Sequence, residues 1–177
     1  ISLIFSNNNT LFGNTAENNS DGIELKSSNN NTLNGNTAEN NNVGINVQES
    51  NGNKLYSNTA NSNNWYGILL YYHSYNNTIS NNIVATNNEK GIYLYYSDYN
   101  KIYLNNFINN YNNVYSYDST NSWNSTSKIT YTYNGSTYTN YLGNYWSDYT
   151  GSDADGDGIG DTPYSIDSDK DNYPLME

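Results

Sequence analysis

Asn29-Asn30-Asn31-Thr32-Leu33-Asn34-Gly35-Asn36-Thr37-Ala38-Glu39-Asn40-Asn41-Asn42-Val43-Gly44-Ile45-Asn46-Val47-Gln48-Glu49-Ser50 is one unit of a repeat. Laid over its neighbours, Leu33 falls in a column with Leu11, Leu55, Ile79 and Ile102, at spacings of 22, 22, 24 and 23 residues. Asn36 falls in a second column with Asn14, Asn58, Asn82 and Asn106. Gly44-Ile45 aligns with Gly22-Ile23, Gly67-Ile68 and Gly91-Ile92, and two residues further on come Leu25, Val47, Leu70 and Leu94. Agreement at this many columns marks a stacked repeat architecture.

The apolar positions alternate (Ile45 and Val47, Leu33 flanked by polar residues), which is the period of a strand. Each apolar run is short and is bounded by Asn-Asn or Gly, so the long i, i+3, i+4 pattern of a helical repeat is missing. A coil of 22 to 24 residues suits three short strands and three turns, stacked at the strand spacing of ~4.8 Å. The expected fold is therefore all-β: a right-handed parallel β-helix of about five coils, with a C-terminal cap and an Asp-rich calcium loop. Residues 1–120 are read as the coils, 121–150 as a Tyr/Trp-rich extension packing on them, and 151–177 as a metal-binding tail. Asn tolerates left-handed turns, and its amide can bond to the same amide one coil away. Gly22, Gly44, Gly67 and Gly91 are expected to supply φ > 0 at one corner, with Asn113 in their place in the fifth coil.

Composition restricts function. The chain has 177 residues, enough for one domain, with 40 Asn and 21 Tyr but only 13% charged residues. Few charges argue against ordinary disorder, and the periodicity argues against a low-complexity tract. Nine of the 17 acids lie between Asp148 and Glu177, so the net charge of -11 is concentrated in the tail. Six Lys and no Arg leave no basic patch for nucleic acid. Cys is absent, which removes disulfides and thiolate chemistry, and no long apolar run spans a membrane. Ile1-Ser2-Leu3 aligns with Ile23-Glu24-Leu25, placing the first residue inside a strand. Removed upstream residues would account for this, as would end-to-end assembly of copies over the apolar Ile1, Leu3 and Leu11.

Three groups of residues are candidate sites. Asp153, Asp155, Asp157 and Asp161 occupy positions 1, 3, 5 and 9 of a calcium-loop pattern, with Gly158 at 6 and the Ile159 carbonyl at 7. Tyr164 stands where such a loop has its bidentate Glu, so Asp167, Asp169 and Asp171 are the expected closing ligands for Ca²⁺. Tyr71, Tyr72, Tyr93, Tyr95, Tyr96, Tyr115 and Tyr117 form an outward aromatic stripe beside Leu69. Such a stripe binds sugar rings or another subunit, or is covered by residues 121–150, and cover is the outcome expected here. Sequons begin at Asn8, Asn18, Asn30, Asn76, Asn124 and Asn134, acceptors for glycosylation in a secreted chain. Glu17 and Glu39 share a column one coil apart without further acids around them, so no catalytic residue is assigned.

These repeats, with the ending Leu142-Gly143-Asn144-Tyr145-Trp146-Ser147-Asp148-Tyr149 and Asn172-Tyr173-Pro174-Leu175-Met176, resemble the NosD-like β-helix proteins. That group is also described as carbohydrate-binding and sugar-hydrolysis repeats. The ending resembles the C-terminal cap of archaeal, especially methanogen, secreted β-helix proteins. The resemblance implies an extracellular location at the cell surface and a structural or glycan-associated role. The group's bacterial namesake is linked to copper delivery. Copper favours His, Cys or Met clusters, and this chain has one His (His73) and one Met (Met176).

Overall fold

The computed structural model describes residues 1–177 and contains strands and turns but no helix. Ser2–Ile4, Asp21–Lys26, Val43–Gln48, Tyr66–Tyr71, Lys90–Tyr95 and Asn112–Tyr117 form a first parallel sheet in that order. A second stacks Thr10–Phe12, Thr32–Asn34, Lys54–Tyr56, Thr78–Ser80 and Lys101–Tyr103. The third stacks Thr15–Glu17, Thr37–Glu39, Thr59–Asn61, Ile83–Ala85, Asn106–Ile108 and finally Tyr145–Trp146. The chain visits the three sheets in rotation, so every strand pairs with its counterparts one coil away. This is the right-handed parallel β-helix of about five coils that the spacing predicts.

Inside, like sits on like. Leu11, Leu33, Leu55, Ile79 and Ile102 are consecutive partners in the second sheet. The last four of them are fully buried. Leu55 is packed between two other aliphatics in a coil that cannot collapse without shifting its neighbours' backbone pairing. Leu55→Ala is therefore expected to cost ~2–5 kcal/mol, read as a lower denaturant midpoint at unchanged slope. At the far end of the third sheet the Ala60–Val84 column gives way to rings. Phe107 stacks on Trp146 at 4.5 Å and Trp146 on Tyr164 at 4.5 Å, with Trp123 beside them.

The three corners follow one rule. A residue with left-handed backbone turns the chain, and the next residue is an Asn or Ser that bonds to the coil above. Asn8, Asn18, Asn30, Asn40, Asn76 and Asn81 are the turning residues at φ 56–60°. Asn9, Asn19, Asn31, Asn41, Asn77 and Asn82 follow them and point inward. This explains the Asn-Asn pairs: the first tolerates the turn and the second makes the bonds.

One inward Asn ladder runs at each corner, and the first corner carries a Ser ladder beside it, Ser28, Ser50, Ser74, Ser97 and Ser119. Asn9, Asn31, Asn53, Asn77, Asn100 and Asn121 are joined Nδ2 to Oδ1 at 3.0–3.2 Å. Asn14, Asn36, Asn58, Asn82, Asn105 and Asn144 are joined at 2.8–3.0 Å. Asn19, Asn41, Asn63, Asn87 and Asn110 form the third. The fifth coil thus corrects the sequence alignment: Asn105, not Asn106, continues the second ladder, while Asn106 pairs with Ile83 on the outside of a strand.

The glycine column also has a different reason from the one expected. Gly22, Gly44, Gly67 and Gly91 lie in strands and do not have positive φ. A Cβ on Gly44 would lie 2.6 Å from the Gly67 carbonyl oxygen and 2.7 Å from Asn63 Nδ2. Glycine is needed here because the ladder amide of the next coil passes directly over it, not to turn a corner.

Candidate functional site

Beyond Tyr117 the chain stops making full coils and closes the open end. Residues 121–123 and Tyr145–Trp146 add a partial rung, Asn121 and Asn144 ending the first two ladders. Between these pieces a hairpin, Ile129–Tyr133 with Ser136–Asn140, turns at Asn134-Gly135 (φ 47° and 81°). A second hairpin, Tyr164–Ile166 with Asp169–Asp171, lies across the end.

Asp167, Asp169 and Asp171 belong to this cap. The structure does not bring them to the Asp153–Asp161 loop, which corrects the expectation that they close it. Asp167 Oδ2 accepts the Ser116 N–H at 2.7 Å, at the last strand of the first sheet. Asp169 Oδ2 accepts from the Asn121 N–H at 2.8 Å and Trp123 Nε1 at 3.2 Å. Asp171 Oδ2 accepts from Asn144 N at 2.7 Å, Asn144 Nδ2 at 3.3 Å and Trp146 Nε1 at 3.1 Å. At the third corner Asn110 donates to Asn113 Oδ1, and Asn113 Nδ2 donates to Asp148 Oδ1 at 2.7 Å. Each ladder sends donors toward the next coil, so its end requires an acceptor that brings no N–H of its own. A carboxylate meets that requirement, whereas another Asn would carry surplus donors to the end.

Burial pushes Asp171 up to about 6, against four N–H donors that favour its charged form. The folded state then holds this proton more tightly than the unfolded chain, whose Asp titrates near 3.8. Stability from this group is fully present below pH 3.8 and is lost as pH rises toward 6, by about 3 kcal/mol in all. The stability difference between the natural chain and Asp171→Asn, measured by denaturation at stepped pH, should fall over that interval. A difference flat across it contradicts the assignment.

Asp153, Asp155 and Asp157 do come together, with a carboxylate oxygen of each within 4.8 Å of the others. Asp153 accepts the N–H groups of Gly156, Asp157 and Gly158 at 2.8–3.1 Å, and Gly156 and Gly158 sit at φ 72° and 88°. Asp157 Oδ1 accepts the Ile159 N–H. Asp161 is turned to the loop entry, where it accepts from Ala154 N and Ser152 Oγ. The first hairpin clamps the loop from outside: Tyr131 donates to the Asp157 carbonyl at 2.9 Å and Tyr138 to the Gly156 carbonyl at 3.0 Å. The charge of Asp157, then burial, holds Asp155 above the usual carboxylate range. Crowded carboxylates of this kind can hold a metal ion, and every donor they offer is oxygen.

The tyrosine stripe is intact and is not covered by residues 121–150, since that segment closes the end of the helix. Tyr71, Tyr95 and Tyr117 stack at 5.4 and 5.3 Å with their planes within 18°. Tyr72 stacks on Tyr96 at 6.0 Å, and Tyr93 meets Tyr115 at 5.3 Å. Because the rings face one another along the helix, the stripe presents ring edges and hydroxyls outward.

Among the sequon residues, Asn8, Asn18, Asn30, Asn76 and Asn134 are exposed turning residues, while Asn124 is half-buried. In Asn8-Asn9-Thr10, Asn30-Asn31-Thr32 and Asn76-Asn77-Thr78 the triplet is turn, ladder and strand start, so the fold alone requires this pattern. Glu17 and Glu39 are paired across the third sheet, as their shared column predicts.

A family model described as "Periplasmic copper-binding protein (NosD)" matches residues 1–151. No curated protein matches the chain. Copper, which that description names, does not suit the donors present. His73 is exposed beside Tyr75, Met176 lies in the tail with its N–H on the Gly158 carbonyl, and the chain has no Cys. The match spans most of the chain and all of its coils, and the chain belongs to the NosD family of β-helix proteins.

Proposed function

We propose that the chain is a non-catalytic structural module of the cell exterior, a β-helix closed by its own tail and stabilised by Ca²⁺ at Asp153, Asp155 and Asp157. The observation that carries this reading is the use of the acidic residues. Asp148, Asp167, Asp169 and Asp171 serve as acceptors at the end of the coils, and the remaining triad offers only oxygen. Oxygen donors on a glycine-containing loop suit Ca²⁺, with the Ile159 carbonyl as a further ligand and Asp161 holding the loop entry. Loops of extracellular modules bind Ca²⁺ weakly, at ~10⁻⁴–10⁻³ M, which fits a chain working outside the cell. No helix is long and apolar enough to cross a membrane. Chelation should lower the melting temperature and speed protease cleavage within residues 150–165. Unchanged melting after EDTA, in protein shown by elemental analysis to start loaded, contradicts the calcium assignment.

The stripe supports a second reading, contact with a cell-surface glycan or another copy of the chain. Its outward hydroxyls recur once per coil, a repeating polar row on an aromatic base. Assembly into a sheath, surface layer or filament would then be lateral, because end-to-end stacking would first have to displace the tail from the last rung. Electron microscopy separates the two: ordered arrays favour contact between copies. Dispersed particles retained by a polysaccharide matrix, with retention lost in Tyr95→Ala, favour the glycan.

A further inference from the structure

The stripe also carries a chemical possibility that needs no partner. Tyr71 and Tyr72 meet at 4.3 Å and Tyr95 and Tyr96 at 4.5 Å between ring centroids. Across coils, Tyr72 lies 5.3 Å from Tyr95, and Tyr96 lies 5.6 Å from Tyr117. Strand register fixes these pairs, since Tyr71, Tyr95 and Tyr117 are direct partners in the first sheet. We propose that this cluster is a site of oxidative cross-linking, where a one-electron oxidant joins tyrosines of adjacent coils as dityrosine and ties the coils together covalently.

The chemistry balances with a peroxidase and hydrogen peroxide as oxidant. Each of two phenols gives up one electron and one proton, leaving two phenoxyl radicals. Their unpaired electrons pair in a carbon–carbon bond between ring positions ortho to oxygen. The two ring hydrogens at those positions move to the oxygens, restoring both phenols. The electrons and released protons reduce one peroxide to two waters. Burial and the neighbouring Tyr117 push Tyr96 up to about 12, so at neutral pH the protonated phenol is the species oxidised.

Proximity selects these rings over more accessible ones. Tyr111 is 80% exposed, and a radical there has no phenol of its own chain in ring contact. A radical within the cluster has a second phenol one ring away on a neighbouring coil, and Tyr71, Tyr72, Tyr95 and Tyr96 have one on their own coil as well.

Trypsin reads the outcome directly. Lys54, Lys90, Lys101 and Lys128 place the tyrosines of successive coils on separate peptides, 55–90, 91–101 and 102–128. After peroxidase treatment of the folded chain, the expected product is a monomer with dityrosine fluorescence. Peptide 91–101 should be joined to 55–90 and to 102–128 through Tyr95 or Tyr96, located by fragmentation. In the Tyr95→Phe, Tyr96→Phe double variant the joins should fall to those made through Tyr93, which meets Tyr66 and Tyr115, and Tyr99, which lies near Tyr75. Unchanged joins in that variant would overturn the proposal, as would cross-linked dimers joined mainly through Tyr111.

Discussion

Replacing Asp171 by Ala is expected to cost about 6 kcal/mol, among the largest effects of any single substitution in this chain. The side chain is fully buried and accepts from four N–H groups: Asn144 N and Nδ2, Trp146 Nε1 and Tyr173 N. Alanine leaves Asn144 N, Trp146 Nε1 and Tyr173 N without this acceptor, while Asn144 Nδ2 keeps the Ile102 and Trp123 carbonyls. Each buried donor without a partner costs ~1–3 kcal/mol. Gly143 shows how closely the carboxylate is held, since a Cβ there would lie 2.0 Å from Asp171 Oδ1. Chemical denaturation measures the loss. A change below ~2 kcal/mol would mean that water satisfies the end of the ladder and that Asp171 is dispensable.

Asn82→Ala is expected to have a similar effect, about 6 kcal/mol, from the middle of a ladder. Asn82 Oδ1 accepts from Asn58 N and Nδ2 at 2.9 and 3.0 Å. Its Nδ2 donates to the carbonyls of Leu55 and Ser80 and to Asn105 Oδ1 at 2.8–3.1 Å. Truncation thus strands the Asn58 N–H and takes the Asn82 amide from the Leu55 and Ser80 carbonyls, while Asn105 Oδ1 keeps the Asn82 N–H and Asn58 Nδ2 keeps the Leu33 carbonyl. The adjacent Asn81 provides the contrast, being exposed and turning the chain at φ 56°. Asn81→Gly should change stability by no more than a few tenths of a kcal/mol, because glycine accepts that backbone freely. Equal losses at the two positions would contradict the division into turning and bonding asparagines.

The coils were legible because their apolar columns need only spacing to be seen. Leu11 to Ile102 align without ambiguity, and the strand partners agree residue by residue. The fifth ladder position was not legible, since Asn105 and Asn106 are adjacent and only the backbone register chooses between them. Composition also hid the role of the glycines. A column of Gly signals either a left-handed turn or a close approach, and here the amide overhead decides for the second.

The tail shows the same ambiguity in chemical form. Asp153-x-Asp155-x-Asp157 and Asp167-x-Asp169-x-Asp171 are the same pattern in sequence, because cation ligands and ladder caps are both rows of acceptors. What separates them is the group facing each carboxylate. For Asp169 that group is the N–H of Asn121, 48 residues earlier, a relation spacing within the tail cannot reveal. A clue lay in the ladders themselves: a stack of donating amides must end on an acceptor.

Amide hydrogen exchange tests the capped ladder most directly. The backbone N–H groups of Asn58 and Asn82 lie mid-ladder, whereas those of Asn121 and Asn144 end on Asp169 and Asp171. If carboxylates close the β-helix, Asn121 and Asn144 will be protected to an extent comparable with Asn58 and Asn82. Protection of the two interior amides with near-free exchange at Asn121 and Asn144 would show that the end is open and that the tail does not cap it.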